Sequence, residues 1–214
     1  MYKLIVFDLD GTLLDTLDDL TNAVNYALQK IGLPVRTREE VRSFVGNGIA
    51  RLMALAVGEE YAHLQAEALE TFKTYYGAHC SVETRVYDGI EGLLAELKRK
   101  GVKTAVLSNK ADFAVKLLAE QYFPNAFFVA QGENEKEGIY KKPAPDALYA
   151  IMRQAGVPAE ETLYVGDSEV DIQTARNAGV VCVSVTWGFK DETFLKEQGG
   201  THIAHTPMEI LRFL

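Results

Sequence analysis

Leu4-Ile5-Val6-Phe7-Asp8-Leu9-Asp10-Gly11-Thr12-Leu13 carries an apolar run into two carboxylates and a glycine. A run this short, rich in β-branched residues and ended by a glycine turn, reads as a buried strand of a parallel sheet. Asp8 and Asp10 then stand at its carboxyl end, the edge at which open α/β sheets bind ligands. Side chains two apart on a strand share a face, so both acids can converge on one cation. The pair alone is ambiguous, because acidic turns after strands also cap the next helix.

Downstream, Leu17, Leu20, Val24, Ala27, Leu28 and Ile31 recur at helical spacing, and Gly32 and Pro34 close the pattern. Thr37-Arg38-Glu39-Glu40 has capping-box spacing and predicts a second helix, interrupted at Phe44-Val45-Gly46-Asn47-Gly48. Two more helices are expected near 49–56 and 59–76, and no strand until past Glu83. From Val86 the pattern alternates. Helices near 90–100, 113–121, 145–156 and 171–178 separate strands at 103–107, 126–130, 162–165 and 180–185. Repeated βα units predict an α/β fold, a doubly wound parallel sheet with helices on both faces. The expected organisation is an α/β core of residues 1–15 and 83–214, with an all-helical insert over 16–82.

Three further segments carry polar residues to the same edge. Val106-Leu107 runs into Ser108-Asn109-Lys110, which suits either a helix cap or a hydroxyl and backbone amides for a phosphate oxygen. Leu163-Tyr164-Val165 runs into Gly166-Asp167-Ser168-Glu169-Val170-Asp171, an acidic cluster that a single cap does not explain. Lys142 is held rigidly before Pro143, although a surface lysine is the plainer reading of that residue alone. Together they propose one site. Asp8, Asp10 and Asp167 supply hard oxygen ligands for Mg²⁺, with Asp171 nearby, while Ser108 and Lys142 hold phosphoryl oxygens.

At these motifs the chain resembles the haloacid dehalogenase superfamily, and within it the phosphoglycolate phosphatase-like group with a helical cap. The matching segments are Asp8 to Leu13, Ser108-Asn109, Lys142-Pro143 with Pro145, and Gly166-Asp167-Ser168 through Asp171. The resemblance implies that Asp8 is a nucleophile that becomes an aspartyl-phosphate, and that Asp10 is the acid/base. It implies that Ser108, Asn109 and Lys142 bind the transferring group, and that Asp167 completes a Mg²⁺ site with Asp171. A Mg²⁺-dependent phosphomonoester hydrolase of small phosphorylated metabolites is the expected function. A β-phosphoglucomutase-like phosphotransferase and a pyrophosphatase or nucleotidase remain compatible. A phosphoacceptor receiver domain uses similar chemistry, but has no helical insert. Gly46 and Asn47 resemble a cap loop that reads substrate, although two glycines also suit a plain helix–helix turn. The acidic stretch 132–138 departs from the family pattern, and a solvated loop explains it too.

Bulk properties narrow the partners. The chain has 214 residues, 48% hydrophobic and 24% charged, and a net charge of −8, which suits a soluble folded protein and disfavours nucleic acid. An acidic protein that binds an anion needs a local cation to overturn its own field. No apolar run approaches membrane-spanning length and no leader is recognisable, so a cytoplasmic location is expected. Cys80 and Cys182 are too few for a disulfide framework, and His63, His79, His202 and His205 have no metal-binding spacing. The sequence leaves the oligomeric state open.

Overall fold

The run Leu4–Phe7 forms strand β1, and all four side chains are fully buried. Burial of such side chains contributes about 1.5–3 kcal/mol each, which explains why this segment seats itself at the centre. The structure is a computed structural model and describes residues 1–134 and 139–214. It divides into two compact units, Met1–Leu14 with Val86–Leu214, and Asp15–Arg85. Two-residue strands β2 (Leu14–Asp15) and β3 (Arg85–Val86) lie where the chain passes between the units, and they pair with each other. Neither was evident in the sequence, because two residues show no period.

The first unit is built on a six-stranded parallel sheet that contains β1. Its other strands are β4 (Lys103–Ala111), β5 (Val129–Glu133), β6 (Thr162–Gly166), β7 (Val181–Val185) and β8 (His202–Ala204). Their order is β5-β4-β1-β6-β7-β8. The chain therefore leaves β1 for one side of the sheet and later returns to its other side, so β1 flanks the point where the winding reverses. Ligand crevices form at such points. The register places Phe7 level with Val106 of β4 and Val165 of β6. Asp8, Ser108 and Asp167 thus emerge within one or two residues of a common line.

Helices α5 (Ile90–Arg99), α6 (Asp112–Tyr122), α7 (Asp146–Ala155), α8 (Glu169–Ala178) and α9 (Glu192–Glu197) flank the sheet. Leu4 and Val6 share a buried cluster with Leu148, Ile151 and Ala175 of α7 and α8. Phe7, with its side chain on the opposite face by strand alternation, lies 6.5 Å from Phe127, centroid to centroid. Strand β4 extends to Ala111, and α6 starts only at Asp112, so Ser108 and Asn109 belong to the strand and do not cap the helix. That closes the capping alternative for this segment.

The second unit consists of helices α1 (Leu17–Lys30), α2 (Arg38–Phe44), α3 (Ile49–Val57) and α4 (Gln65–His79). Thr37 and Glu40 form the expected capping box, with bonds of 3.2 and 2.7 Å. The helix expected over 59–76 is divided: Glu59–Leu64 is 3-10 and Tyr61 departs from helical angles before α4 begins. Leu20, Val24, Ala27 and Leu28 form the buried stripe of α1, which packs on α4, and Tyr26 stacks on Tyr75 at 4.2 Å. Asp19 is buried and accepts from the backbone N–H groups of Glu83 and Thr84 and from the Thr84 hydroxyl, tying the returning segment to α1.

Candidate active site

The apolar stretch of β1 ends on Asp8, whose backbone N–H donates to the Val165 carbonyl at 2.8 Å and so continues the pairing with β6. Its Oδ1 accepts from the Leu9 N–H at 2.7 Å, which fixes the carboxylate plane. Its Oδ2 lies 3.0 Å from Lys142 Nζ. Lys142 is 3% exposed and also donates to Asp171 Oδ1 at 2.6 Å. The plain reading of Lys142 as a surface lysine is therefore overturned.

Lys142 owes its position to Asn109. The Asn109 Oδ1 accepts from the Lys142 backbone N–H at 2.6 Å, and its Nδ2 donates to the Lys142 carbonyl at 3.0 Å. These bonds make the carboxamide of Asn109, which the resemblance places at the phosphate, a brace between β4 and the lysine segment. Lys142 Nζ also lies 5.7 Å from the centre of the Tyr164 ring, a cation–π contact under the ammonium. Ser108 is buried on the neighbouring strand, and its Oγ accepts a long bond of 3.4 Å from the Lys110 N–H.

Asp167 follows β6 and is 1% exposed. Its Oδ2 accepts from the Phe189 N–H at 2.7 Å, and Thr12 Oγ1 donates to its Oδ1 at 3.4 Å. The loop Trp187-Gly188-Phe189 is anchored a second time, because Trp187 Nε1 donates to the Thr12 carbonyl at 3.0 Å. Asp171, fully buried on α8, accepts from the Ser168 N–H and hydroxyl at 3.0 and 2.6 Å.

Asp8, Asp167 and Asp171 each offer an oxygen within 4.8 Å of the others'. Three carboxylates facing one ammonium leave two negative charges in excess, an imbalance that a divalent cation would cancel. Backbone is kept clear around them. A Cβ at Gly11 or Gly188 would meet the Asp167 carboxylate, and one at Gly166 would meet Asp171. The donor set, hard oxygen throughout, suits Mg²⁺. The fit is good.

The charge imbalance appears in the protonation equilibria. Burial, against the attraction of Lys142, raises the Asp8 carboxyl from 3.8 to about 7, and the charges of Asp171 and Asp10 push the same way. Burial and the charges of Asp171 and Asp8 likewise hold Asp167 well above the usual carboxylate range. For Lys142 burial opposes the charge, but Asp171 and Asp8 outweigh it and raise the ammonium well above an ordinary lysine.

Asp10 departs from expectation. Its carboxylate lies outside the three-acid cluster and is held by Lys110, whose Nζ donates to Oδ1 and Oδ2 at 2.9 and 3.0 Å. Asp10, expected among the Mg²⁺ ligands, thus stands apart from that cluster, with both of its oxygens on Lys110. Lys110 itself is 5% exposed. Sequence reasoning passed over it, although it follows Ser108-Asn109 directly, because its partner is 100 residues away. Gly46 and Asn47 lie in the turn between α2 and α3 of the helical unit. Of the acidic stretch 132–138, residues 135–138 fall outside the described residues.

The sequence profile of the haloacid dehalogenase-like hydrolases matches residues 5–185. A phosphoglycolate phosphatase of Pseudomonas savastanoi pv. phaseolicola is 38% identical over 195 residues, covering 87% of this chain and 70% of that protein. Among solved structures, a predicted phosphoglycolate phosphatase from Haemophilus somnus is 30% identical with a TM-score of 0.89, covering 99% of this chain and 97% of that one. A Lactobacillus delbrueckii subsp. bulgaricus protein with the same provisional designation is 39% identical with a TM-score of 0.91, covering 98% and 96%.

Proposed function

The chain belongs to the haloacid dehalogenase-like hydrolase family and is a phosphatase, and we propose that it hydrolyses a small phosphate monoester, with phosphoglycolate the best candidate, through an aspartyl-phosphate on Asp8. The observation that carries this reading is the buried set of Asp8, Lys142, Asp167 and Asp171 beside the reversal of the sheet's winding. Helix capping does not require an ammonium between two of those acids.

In this reading Asp8, its plane set by the Leu9 N–H, attacks phosphorus. Lys142 and Ser108 bind the oxygens of the transferring group, and Asn109 keeps Lys142 in place. Asp10 gives a proton to the departing oxygen and then takes one from the water that releases phosphate. Asp8 and Asp167, with Asp171 acting directly or through water, would hold Mg²⁺, which supplies positive charge to an acidic site that must accept an anion. Gly46 and Asn47 are assigned to the non-phosphate end of the substrate.

The test is phosphate release from a panel of small phosphate esters, with kcat/KM measured for each in Mg²⁺ and in chelator. Phosphoglycolate should give the highest value, with activity lost in chelator and restored by Mg²⁺. Release from no ester would overturn the reading. Transfer of the phosphoryl group to a sugar in preference to water would favour the phosphotransferase.

A further inference from the structure

Among the described residues, Lys110 and Lys142 are the buried lysines, and the phosphoryl chemistry above uses one of them. Lys142 is committed between Asp8 and Asp171. Lys110 is paired instead with the carboxylate of Asp10. Its charge is desolvated, with 3% of the side chain exposed, while the Asp10 side chain remains 14% exposed. The ammonium is thus reached by way of the group assigned to the leaving oxygen.

We propose that Lys110 recognises a carboxylate on the leaving group, which makes the α/β unit itself selective for phosphate esters of short 2-hydroxy acids. The inference rests on the phosphatase reading and extends it from the phosphate to the other end of the substrate. An acid that protonates the ester oxygen lies within hydrogen-bond reach of it, about 2.6–3.2 Å. Lys110 is one ion-pair length beyond that acid. In a 2-hydroxy acid the carbon that carries the ester oxygen also carries the carboxylate, so the carboxylate is near enough to the ester oxygen to meet the ammonium. A longer leaving group would carry its charge past Lys110.

Electrostatics give the same answer. The edge carries Asp8, Asp10, Asp167 and Asp171, so a second negative charge on the substrate is repelled unless a cation meets it. When the substrate carboxylate takes up Lys110, Asp10 loses a partner that held both of its oxygens and is free to turn to the ester oxygen. Recognition and release of the acid are then one exchange of partners.

The experiment uses the whole Mg²⁺-loaded protein and two substrates of nearly equal size, 2-phosphoglycolate and its primary amide. Wild type should prefer the acid in kcat/KM by at least about 30-fold, the low end for a buried, hydrogen-bonded charge pair that the amide cannot make. Lys110→Met should reduce that ratio to about threefold or less, and Lys110→Arg should keep much of it. A wild-type ratio near one would overturn the assignment, and so would a folded Lys110→Met that loses activity on both substrates equally while keeping the wild-type ratio. The wild-type ratio and Lys110→Arg decide the matter if Lys110→Met does not fold. Release of phosphate from neither compound would instead overturn the phosphatase reading, whereas equal release from both overturns the role of Lys110 alone.

Discussion

Stripped of divalent metal, this protein should become less stable as the pH rises from about 5 to about 7.5, the reverse of ordinary acid sensitivity. The Asp8 carboxyl titrates near 7 in the folded chain against 3.8 as its ordinary value, because burial outweighs the attraction of Lys142. The folded state therefore binds this proton more tightly than the unfolded state does. The stabilisation is fully present below about pH 4 and disappears as the pH climbs through 7. A carboxyl raised from 3.8 to about 7 sets the scale of the loss at about 4 kcal/mol. Asp167 is shifted in the same direction and adds to the loss. Glu40, Glu96, Glu192 and Glu209 are shifted downward by hydrogen bonds, so their contribution is lost on acidification below this window and does not mask it. The assay is urea unfolding in chelator at the two pH values, repeated with Mg²⁺. At pH 7.5, Mg²⁺ at a hundred times its dissociation constant should restore about 2.7 kcal/mol. Asp8→Asn should flatten the metal-free pH dependence. Metal-free stability that rises over this interval, or an Asp8→Asn slope equal to wild type, would refute the charge account of the site.

Asn109→Ala removes both bonds that hold the Lys142 backbone, so stability should fall by about 1–3 kcal/mol and kcat/KM by up to about 100-fold; an unchanged urea midpoint and unchanged kinetics would dismiss the brace. Gly188→Ala places a methyl against the Gly11 carbonyl and Asp167, so a loss of about 1–3 kcal/mol and a higher Mg²⁺ requirement are expected, checked by a Mg²⁺ titration of activity. Asn47→Ala should lower kcat/KM much more for phosphoglycolate than for p-nitrophenyl phosphate, which offers little beyond the phosphate; equal losses would leave that segment a turn between helices.

The sheet was legible where local chemistry decides it. Leu4–Phe7 is apolar because it is central, and Asp8 follows because the parallel edge is where the chain can turn polar. The same logic found β6 to within a residue and the start of β4, whose end lies beyond the expected one at Ala111. It failed where an element is short or polar: β8 has three residues, α9 has six, and neither has a period to read. Within the site, acids were legible by spacing after strands. The Asn109 brace and the Lys110–Asp10 pair were not, because they join residues 33 and 100 positions apart, and no local pattern records which lysine the fold will bury. Lys142 shows the same limit, since an ordinary Lys-Lys-Pro is indistinguishable from a surface turn until the sheet draws it between two carboxylates.

The central claim is that Asp8 carries the phosphoryl group. Acid quench during turnover of phosphoglycolate, followed by peptide mass analysis, tests it most directly. The account predicts one phosphoryl group on the peptide containing Asp8, absent from Asp8→Asn, which should remain folded and inactive. Turnover by well-folded Asp8→Asn, or a phosphoryl group trapped on a different residue, would contradict it.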